Sequence, residues 1–311
     1  MIEAHQLTKR YGDKLAVDHV DFTIAPGSVT GFLGPNGAGK STTMRMIVGL
    51  DRPTSGTVTV NGKPYAQHRS PLGEVGALLD AKAVHSGRSA RSHLRTMAAT
   101  HGISGKRVDD VIDMTGLAGV AGKRVGGFSL GMGQRLGIAS AMLGDPQTLI
   151  LDEPVNGLDP EGVQWVRQLV RLLASEGRTV FLSSHLMSEM AQTADQLLVI
   201  GRGRIIAAGP VQEVIDSVIG ATVRVRSPRL GELAALLAGD GVTLTPGDDG
   251  AIDLQGITPA QIGDTAAAHG IPLHELSSHK ASLEEAYMNL TQDAVEYRSD
   301  VTAALLKGAN R

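Results

Sequence analysis

Hydrophobic positions in the first part of the chain fall in short runs separated by glycine and proline. The runs "AVDHVDFTI", "SVTGFLG" and "GTVTVNG" are rich in Val, Ile, Thr and Phe. Such composition between turn-forming residues is typical of β-strands. The chain therefore begins with a β-rich region.

The spacing of apolar residues changes to three and four between Arg88 and Leu143, which predicts helices. Two apolar runs follow, "TLILDEP" and "TVFLSSHL", on either side of a helical stretch from Pro160 to Glu176. Strands that alternate with helices indicate an α/β fold with a parallel sheet. The segment "QLLVIGRGRIIAAG" adds a predicted hairpin with its turn at the glycines.

The pattern changes again near Ile219. Strand and helix signals then follow in the order β-α-β-β-α-β with one further helix, which predicts a small α+β domain of the ferredoxin-like type. We therefore predict a first domain over residues 1–220, with a helical subdomain at about 82–145. The second domain would cover residues 221–311, including a terminal tail from Ser299 to Arg311 that we expect to fray.

Composition narrows the choice of function. The chain has 311 residues, a formal net charge of -3 and no cysteine. The absence of cysteine excludes disulfides, zinc–thiolate sites and cysteine nucleophiles. The small negative net charge provides no overall positive potential that would attract nucleic acid. We also find no secretory signal at the N-terminus and no long apolar run that would span a membrane.

The stretch "GPNGAGKST" lies between a predicted strand and a predicted helix and matches G-x-x-x-x-G-K-[ST]. Glycines allow the loop to close its N–H groups around phosphate oxygens, and the helix directs its positive end at the same anion. Lys40 would reach the β- and γ-phosphates of a nucleotide, and Ser41 would ligate Mg²⁺. The predicted phosphate-binding residues are Gly34, Pro35, Asn36, Gly37, Ala38, Gly39, Lys40, Ser41 and Thr42.

A second group of polar residues follows the apolar strand in "TLILDEP". Asp152 and Glu153 would lie at the carboxyl edge of the sheet, where ligands bind in open α/β folds. We expect Asp152 to hold Mg²⁺. Glu153 would accept a proton from the attacking water as the general base.

These motifs are followed by two others, "SLGMGQR" and "LSSH" with His185, and the order along the chain is the same as in a known protein family. The chain resembles the ATP-binding subunit of ABC transporters from about Ile2 to Gly220, which implies a P-loop NTPase fold and the cofactors ATP and Mg²⁺. The resemblance implies that Tyr11 stacks on adenine and that His185 binds the γ-phosphate. It also implies that His185, Glu153 and Lys40 are the catalytic residues. It also implies that Asp159 in "NGLD" belongs to the loop that crosses a dimer interface.

The family signature L-S-G-G-Q is altered in this chain. Ser129 and Gly131 match it, whereas Leu130 adds bulk and Met132 lacks an amide. The resemblance implies that this segment contacts the γ-phosphate bound to the opposite subunit. At the position where the family usually has a glutamine, the chain has Asp80, a carboxylate that can still ligate Mg²⁺.

The resemblance implies that two copies of the chain act together with a separate integral membrane permease. The two copies would be peripheral proteins at the cytoplasmic face of a bacterial membrane. The signature and the extra domain resemble export ATPases of the multidrug and daunorubicin-resistance type. The second domain would regulate, dimerise or stabilise. An alternative is a non-transport ABC-type ATPase of the repair or chromosome class, although we expect no nucleic-acid partner. A GTPase would need a motif such as N-K-x-D, which we do not find.

Overall fold

Two compact units contain most of the chain, the first with Met1–Pro210 and the second with Val211–Leu290. We describe them from a computed structural model. It describes residues 1–80, 83–218, 222–247, 250–279 and 282–291. Within these ranges, no helix combines the length and the apolar character needed to cross a bilayer.

The first unit contains two sheets and the helices that pack against them. In chain order its elements are β1 Ile2–Tyr11, β2 Lys14–Ile24, β3 Val29–Leu33, α1 Lys40–Ile47, β4 Ser55–Val60, α2 Pro71–Glu74, β5 Val75–Leu78, α3 Ala90–Thr100, α4 Gly105–Met114, α5 Leu130–Met142, β6 Thr148–Leu151, α6 Pro160–Ser175, β7 Thr179–Ser183, α7 Met187–Thr193, β8 Gln196–Gly201 and β9 Arg204–Pro210.

The central sheet has the strand order β5-β6-β7-β3-β8-β9. Its first five strands run parallel, and β9 pairs with β8 in the antiparallel direction as the predicted hairpin. All residues of β3, β6 and β7 are buried, as expected for strands covered on both faces. The parallel sheet predicted from the sequence is confirmed, and it brings the ends of β3, β6 and β7 to one edge.

A second, antiparallel sheet has the order β2-β1-β4. The sequence pattern did not predict β1, although its buried residues Ile2, Ala4 and Leu7 face the core. The pairing of β1 with β2 shifts register at several points along the strand. These irregularities break the alternation of apolar and polar residues, which is why the pattern did not reveal the strand.

The helices α3, α4 and α5 form the predicted helical segment. Each begins at a serine whose side-chain oxygen accepts a hydrogen bond from a backbone N–H of the first turn: Ser89, Ser104 and Ser129. Serine is favoured at this position because it satisfies one of the unpaired N–H groups of the helix end. The apolar residues Leu94, Val108, Val111 and Leu136 of these helices are buried.

The second unit contains α8 Val211–Val218, β10 Thr222–Arg226, α9 Leu230–Leu237, β11 Thr243–Pro246, β12 Ile252–Gln255, α10 Pro259–Ala268, β13 Glu275–His279 and α11 Leu283–Thr291, the last of which ends one residue beyond the unit. Its sheet is antiparallel in the order β11-β12-β10-β13, so the predicted β-α-β-β-α-β arrangement is confirmed. The predicted boundary between residues 220 and 221 and the tail from Ser299 to Arg311 lie outside the described residues.

Candidate functional site

The glycine-rich loop joins the end of β3 to the start of α1. Gly39 has φ 111°, and a Cβ atom there would lie 2.5 Å from the carbonyl oxygen of Ala16. A Cβ atom on Gly34 would collide with the carbonyl oxygen of Ile200. Both positions therefore require glycine, because of backbone conformation at the first and of close packing at the second. The loop ends in the unpaired N–H groups of α1, which favour an anion.

The ammonium group of Lys40 is folded over this loop. Its Nζ donates to the carbonyl oxygens of Gly34, at 2.6 Å, and Pro35, at 3.3 Å. Only 9% of the residue is exposed. Burial lowers the pKa of Lys40, while the nearby carboxylates of Glu153 and Asp152 act in the opposite direction. The loop thus holds a buried cation opposite two carboxylates.

The carboxylate of Asp152 accepts a hydrogen bond from a serine hydroxyl at each of its two oxygens. Ser41 Oγ donates to its Oδ2 at 2.6 Å, and Ser183 Oγ donates to its Oδ1 at 2.5 Å. Ser41 is the second residue of α1 and Ser183 ends β7, while Asp152 follows β6. The sheet therefore positions three oxygen-bearing side chains at one edge, as the sequence predicted for Ser41 and Asp152.

Glu153 has a left-handed backbone, with φ 51°, which is uncommon for a residue with a side chain. Its N–H donates to Ser183 Oγ at 2.9 Å, and its carbonyl oxygen accepts from Gln134 Nε2 at 2.8 Å. Nδ1 of His185 lies 2.7 Å from Oε2 of Glu153, and the N–H of His185 donates to the same oxygen at 3.3 Å. The surroundings thus fix both the backbone and the carboxylate of Glu153.

A cavity of about 600 Å³ opens in front of these groups. Tyr11 at the end of β1 and Asp80 after β5, to which the resemblance assigns contacts with adenine and Mg²⁺, both line it. The residues that line it include Tyr11, Asn36, Gly37, Gly39, Lys40, Ser41, Thr42, Asp80, Leu130, Asp152 and Glu153.

The signature segment packs against the loop that precedes α6 in the same chain. A Cβ atom on Gly131 would lie 2.9 Å from the carbonyl oxygen of Gly157, and one on Gly157 would collide with the side chain of Leu130. Ser129 Oγ accepts from the N–H of Met132 at 3.2 Å. Leu130 is the member of the predicted signature that reaches the cavity, whereas Ser129, Gly131 and Met132 do not line it.

Asp159 has a role in local structure at the start of α6. Its Oδ1 accepts from the N–H of Gly162 at 2.9 Å, as is usual for an aspartate that caps a helix. Asp159 does not line the cavity. The structure therefore places it at the N-terminal cap of α6, outside the lining of the cavity.

Several residues of the site were not predicted from the sequence. Ser183 lies in the "LSSH" segment that we noted only for His185, and Gln134 lies two residues after the signature. Lys14 and Asn156 also line the cavity. A polar residue at the buried end of a strand was the available signal for Ser183, because buried hydroxyl groups need hydrogen-bond partners.

The donor set suits Mg²⁺. Ser41 and Asp152 offer a hydroxyl and a carboxylate oxygen, and Mg²⁺ is usually bound by one or two carboxylates together with substrate phosphates. Among the described residues, no cluster of three or more His, Asp or Glu side chains could hold a metal ion by itself. The protein ligands on this edge therefore fit a metal whose shell is completed by phosphate oxygens and water.

Comparisons with known proteins agree with this geometry. A family model described as ABC transporter matches residues 17–156, and a model described as a domain of unknown function matches residues 221–284. The bacitracin transport ATP-binding protein BcrA of Bacillus licheniformis is 42% identical over 213 residues, which cover 68% of this chain and 70% of that protein. The lantibiotic transport ATP-binding protein SrtF of Streptococcus pyogenes is 37% identical and covers 66% of this chain and 89% of its own.

Two further similarities extend the comparison. The Nod factor export ATP-binding protein I of Cupriavidus metallidurans is 38% identical over 72% of this chain and 75% of its own. A solved ATP-binding subunit of an ABC transporter superposes with a TM-score of 0.64 at 26% identity, over 70% of this chain and 92% of the other. The chain therefore belongs to the ATP-binding subunits of ABC transporters, which hydrolyse ATP to power transport.

Proposed function

We propose that this subunit powers the export of a drug or another hydrophobic compound through a separate membrane permease, as a pair of identical chains at the cytoplasmic face of the membrane. One observation carries the catalytic part: a single cavity joins the glycine-rich loop, the Ser41–Asp152 pair and Glu153, and His185 contacts the Glu153 carboxylate. The names of the relatives support export, since they refer to bacitracin, a lantibiotic and Nod factor.

The loop would bind the phosphates of ATP. Its N–H groups and the start of α1 supply hydrogen-bond donors and a positive potential. Lys40 would exchange its bonds to the carbonyl oxygens of Gly34 and Pro35 for bonds to the β- and γ-phosphates. Because the buried ammonium gains full anionic partners in this exchange, phosphate binding is favoured.

Ser41 and Asp152 would hold Mg²⁺, and Asp80, which lines the same cavity, would contribute a further oxygen. Bound there, the metal would neutralise charge on the phosphates. Ser183 keeps the carboxylate of Asp152 directed at Ser41, since it holds the other carboxylate oxygen. This second contact restricts rotation of the Asp152 side chain.

Glu153 would take the proton from the attacking water. Its carboxylate lies at the cavity, and Ser183 and Gln134 hold its backbone. His185 contacts the same carboxylate oxygen through its ring and its N–H. We therefore expect His185 to orient Glu153 and, once ATP is bound, to contact the γ-phosphate as the family resemblance implies.

The second copy of the chain would close the site. Ser129, Gly131 and Met132 do not line their own chain's cavity, so they are available to contact ATP bound to the partner. Asp159 would lie at the same interface by the family resemblance. Binding of ATP would join the two copies, and hydrolysis would loosen them because the bridging anion is removed.

The permease would contact an apolar cavity beside α3 and α5. This cavity has a volume of about 740 Å³ and is lined mainly by apolar residues such as Leu72, Val84 and Met97. Ser41, Asp80 and Asp152 line both this cavity and the nucleotide cavity. A partner bound there would therefore touch residues that also face the nucleotide, which gives a direct route for coupling.

A complementation assay tests the export proposal. Cells that lack this chain should become more sensitive to an amphipathic peptide antibiotic such as bacitracin. Expression of the wild-type chain should restore resistance, whereas the Lys40→Ala variant at equal abundance should not. Unchanged sensitivity to a panel of hydrophobic and peptide antibiotics, with ATP hydrolysis stimulated by DNA, would instead favour the nucleic-acid class.

A further inference from the structure

The aromatic ring at the mouth of the nucleotide cavity is held by a network outside the recognised motifs. Tyr11 lines the cavity and is 46% exposed. Its hydroxyl donates to Oδ2 of Asp51 at 2.7 Å. An exposed tyrosine at the end of a strand would otherwise rotate among rotamers, so this bond selects one ring orientation.

Asp51 is itself fixed by Arg45. Nε of Arg45 donates to Oδ2 of Asp51 at 2.8 Å, and its second guanidinium nitrogen donates to Oδ1 at 3.3 Å. The N–H of Asp51 also donates to the carbonyl oxygen of Arg45 at 3.3 Å. The hydrogen bond from Arg45, and after it in size the hydrogen bond from Tyr11, lower the pKa of Asp51. The carboxylate therefore remains an ionised acceptor at neutral pH.

This network connects the ring to the phosphate-binding helix. Arg45 lies on α1, whose first residues are Lys40 and Ser41. Tyr11 belongs to β1, in the antiparallel sheet, and reaches α1 through Asp51 and Arg45. Its hydroxyl also interacts with the side chain of Thr42, which lies on α1. The chain of contacts therefore fixes the distance between the aromatic ring and the loop that would bind the phosphates.

Lys9 restricts which face of the ring is available. Its ammonium lies 4.9 Å from the ring centroid of Tyr11 and donates to the carbonyl oxygen of Arg52 at 2.7 Å. A cation held over one face of the ring leaves the opposite face for a stacking base. The network thus determines both the orientation of the ring and its free face.

We propose that Asp51, held by Arg45, is a positioning residue that orients Tyr11 for stacking on the adenine base of ATP. This inference rests on the proposed role of Tyr11 in the nucleotide site. Asp51 does not line the cavity, so its effect on nucleotide binding would act through Tyr11. Its effect is to keep the ring at a fixed distance from the phosphate loop, so that base and phosphates bind together.

The test compares two ligands on the full chain by titration calorimetry in the presence of Mg²⁺. ATP carries the base, whereas inorganic tripolyphosphate carries only the phosphate charge. The Asp51→Ala and Tyr11→Phe variants should each weaken ATP binding by about three- to ten-fold, the range expected for one lost hydrogen bond. Neither should change tripolyphosphate binding by more than about two-fold, because the phosphate loop stays intact.

The double variant and a control separate positioning from general damage. Tyr11→Phe combined with Asp51→Ala should bind ATP no more weakly than Tyr11→Phe alone, because Tyr11→Phe has already removed the bond to Asp51. Glu232→Ala breaks an exposed ion pair with Arg229 in the other unit and should leave both ligands unaffected. If Asp51→Ala does not fold, Tyr11→Phe alone decides, since it keeps the ring and removes only the hydroxyl.

Failure of this inference differs from failure of the proposed function. If Tyr11→Ala weakens ATP binding but Tyr11→Phe and Asp51→Ala do not, positioning by Asp51 is refuted and the adenine site stands. Equal weakening of tripolyphosphate, or additive effects in the double variant, also refutes it. If Tyr11→Ala leaves ATP binding unchanged, the proposed contact of Tyr11 with adenine is itself wrong.

Discussion

Ser183 bonds to both acidic residues of the site, to the carboxylate of Asp152 and to the backbone of Glu153, so its hydroxyl is the most informative single group to remove. It is fully buried at the end of β7. It donates to Asp152 Oδ1 at 2.5 Å and accepts from the N–H of Glu153 at 2.9 Å. The Ser183→Ala variant removes both bonds and leaves the volume of the strand end almost unchanged.

The expected size of the effect follows from these two bonds. Loss of a hydrogen bond to an ionised carboxylate costs about 1.5–3 kcal/mol, and a buried N–H left without a partner costs about 1–3 kcal/mol. Asp152 keeps its bond from Ser41, and Glu153 keeps its bond from Gln134. We therefore expect Ser183→Ala to reduce the free energy of unfolding by about 3 kcal/mol.

Catalysis should fall as well, because Glu153 has a left-handed backbone that Ser183 helps to hold. A displaced general base lowers turnover more than ligand binding, so kcat should fall by roughly ten- to a hundred-fold with a smaller change in KM. Urea unfolding can be followed by the fluorescence of Trp165, the single tryptophan, which lies on α6 in the first unit. ATP hydrolysis is measured on the same samples.

The matched control is Ser140→Ala. Its hydroxyl donates to the carbonyl oxygen of Leu136 within α5 and bonds to neither carboxylate. That change should alter stability by less than about 1 kcal/mol and leave kcat unchanged. If Ser183→Ala matches this control in both stability and turnover, the reasoning about the support of Asp152 and Glu153 is refuted.

Three further changes test other parts of the site. Glu153→Gln should keep ATP binding and reduce single-turnover hydrolysis by about a hundred-fold or more, with an ATP-dependent dimer on gel filtration; full activity would contradict a general-base role. Asp80→Gln should alter turnover without lowering the unfolding midpoint, and unchanged ATPase and transport would show that Asp80 has no part in either. Burial lowers the pKa of Lys40 in the folded chain below its ordinary value of 10.5. Between these two pKa values the unfolded chain binds more protons than the folded chain, so the free energy of unfolding rises with pH. Lys40→Met should remove this rise in pH-dependent unfolding curves, and an unchanged slope would show that Lys40 does not cause it.

The sequence predicted those parts of the site that depend on local rules. The glycine-rich loop and the Asp152–Glu153 pair follow buried strands, so the ends of parallel strands bring them to one edge. The ferredoxin-like order of the second unit was also predictable, because its short strands and helices have clear periodicities.

Other features depend on contacts between distant segments, which a local pattern does not contain. Ser183 reaches Asp152 only because β6 and β7 are neighbours in the sheet. Asp51 meets Tyr11 because the turn after α1 lies beside the end of β1. The strand β1 was missed because register shifts interrupt its alternation. The signature segment was expected to face a partner, and its packing on Gly157 in the same chain was not predicted.

Equilibrium dialysis of the purified full chain with ATP and Mg²⁺ tests the central claim most directly. We predict saturable binding of one ATP per chain that requires Mg²⁺ for full affinity and is lost in the Lys40→Ala variant. Absence of ATP binding by the folded wild-type chain, or equal binding by Lys40→Ala, would contradict the assignment of this cavity as the nucleotide site.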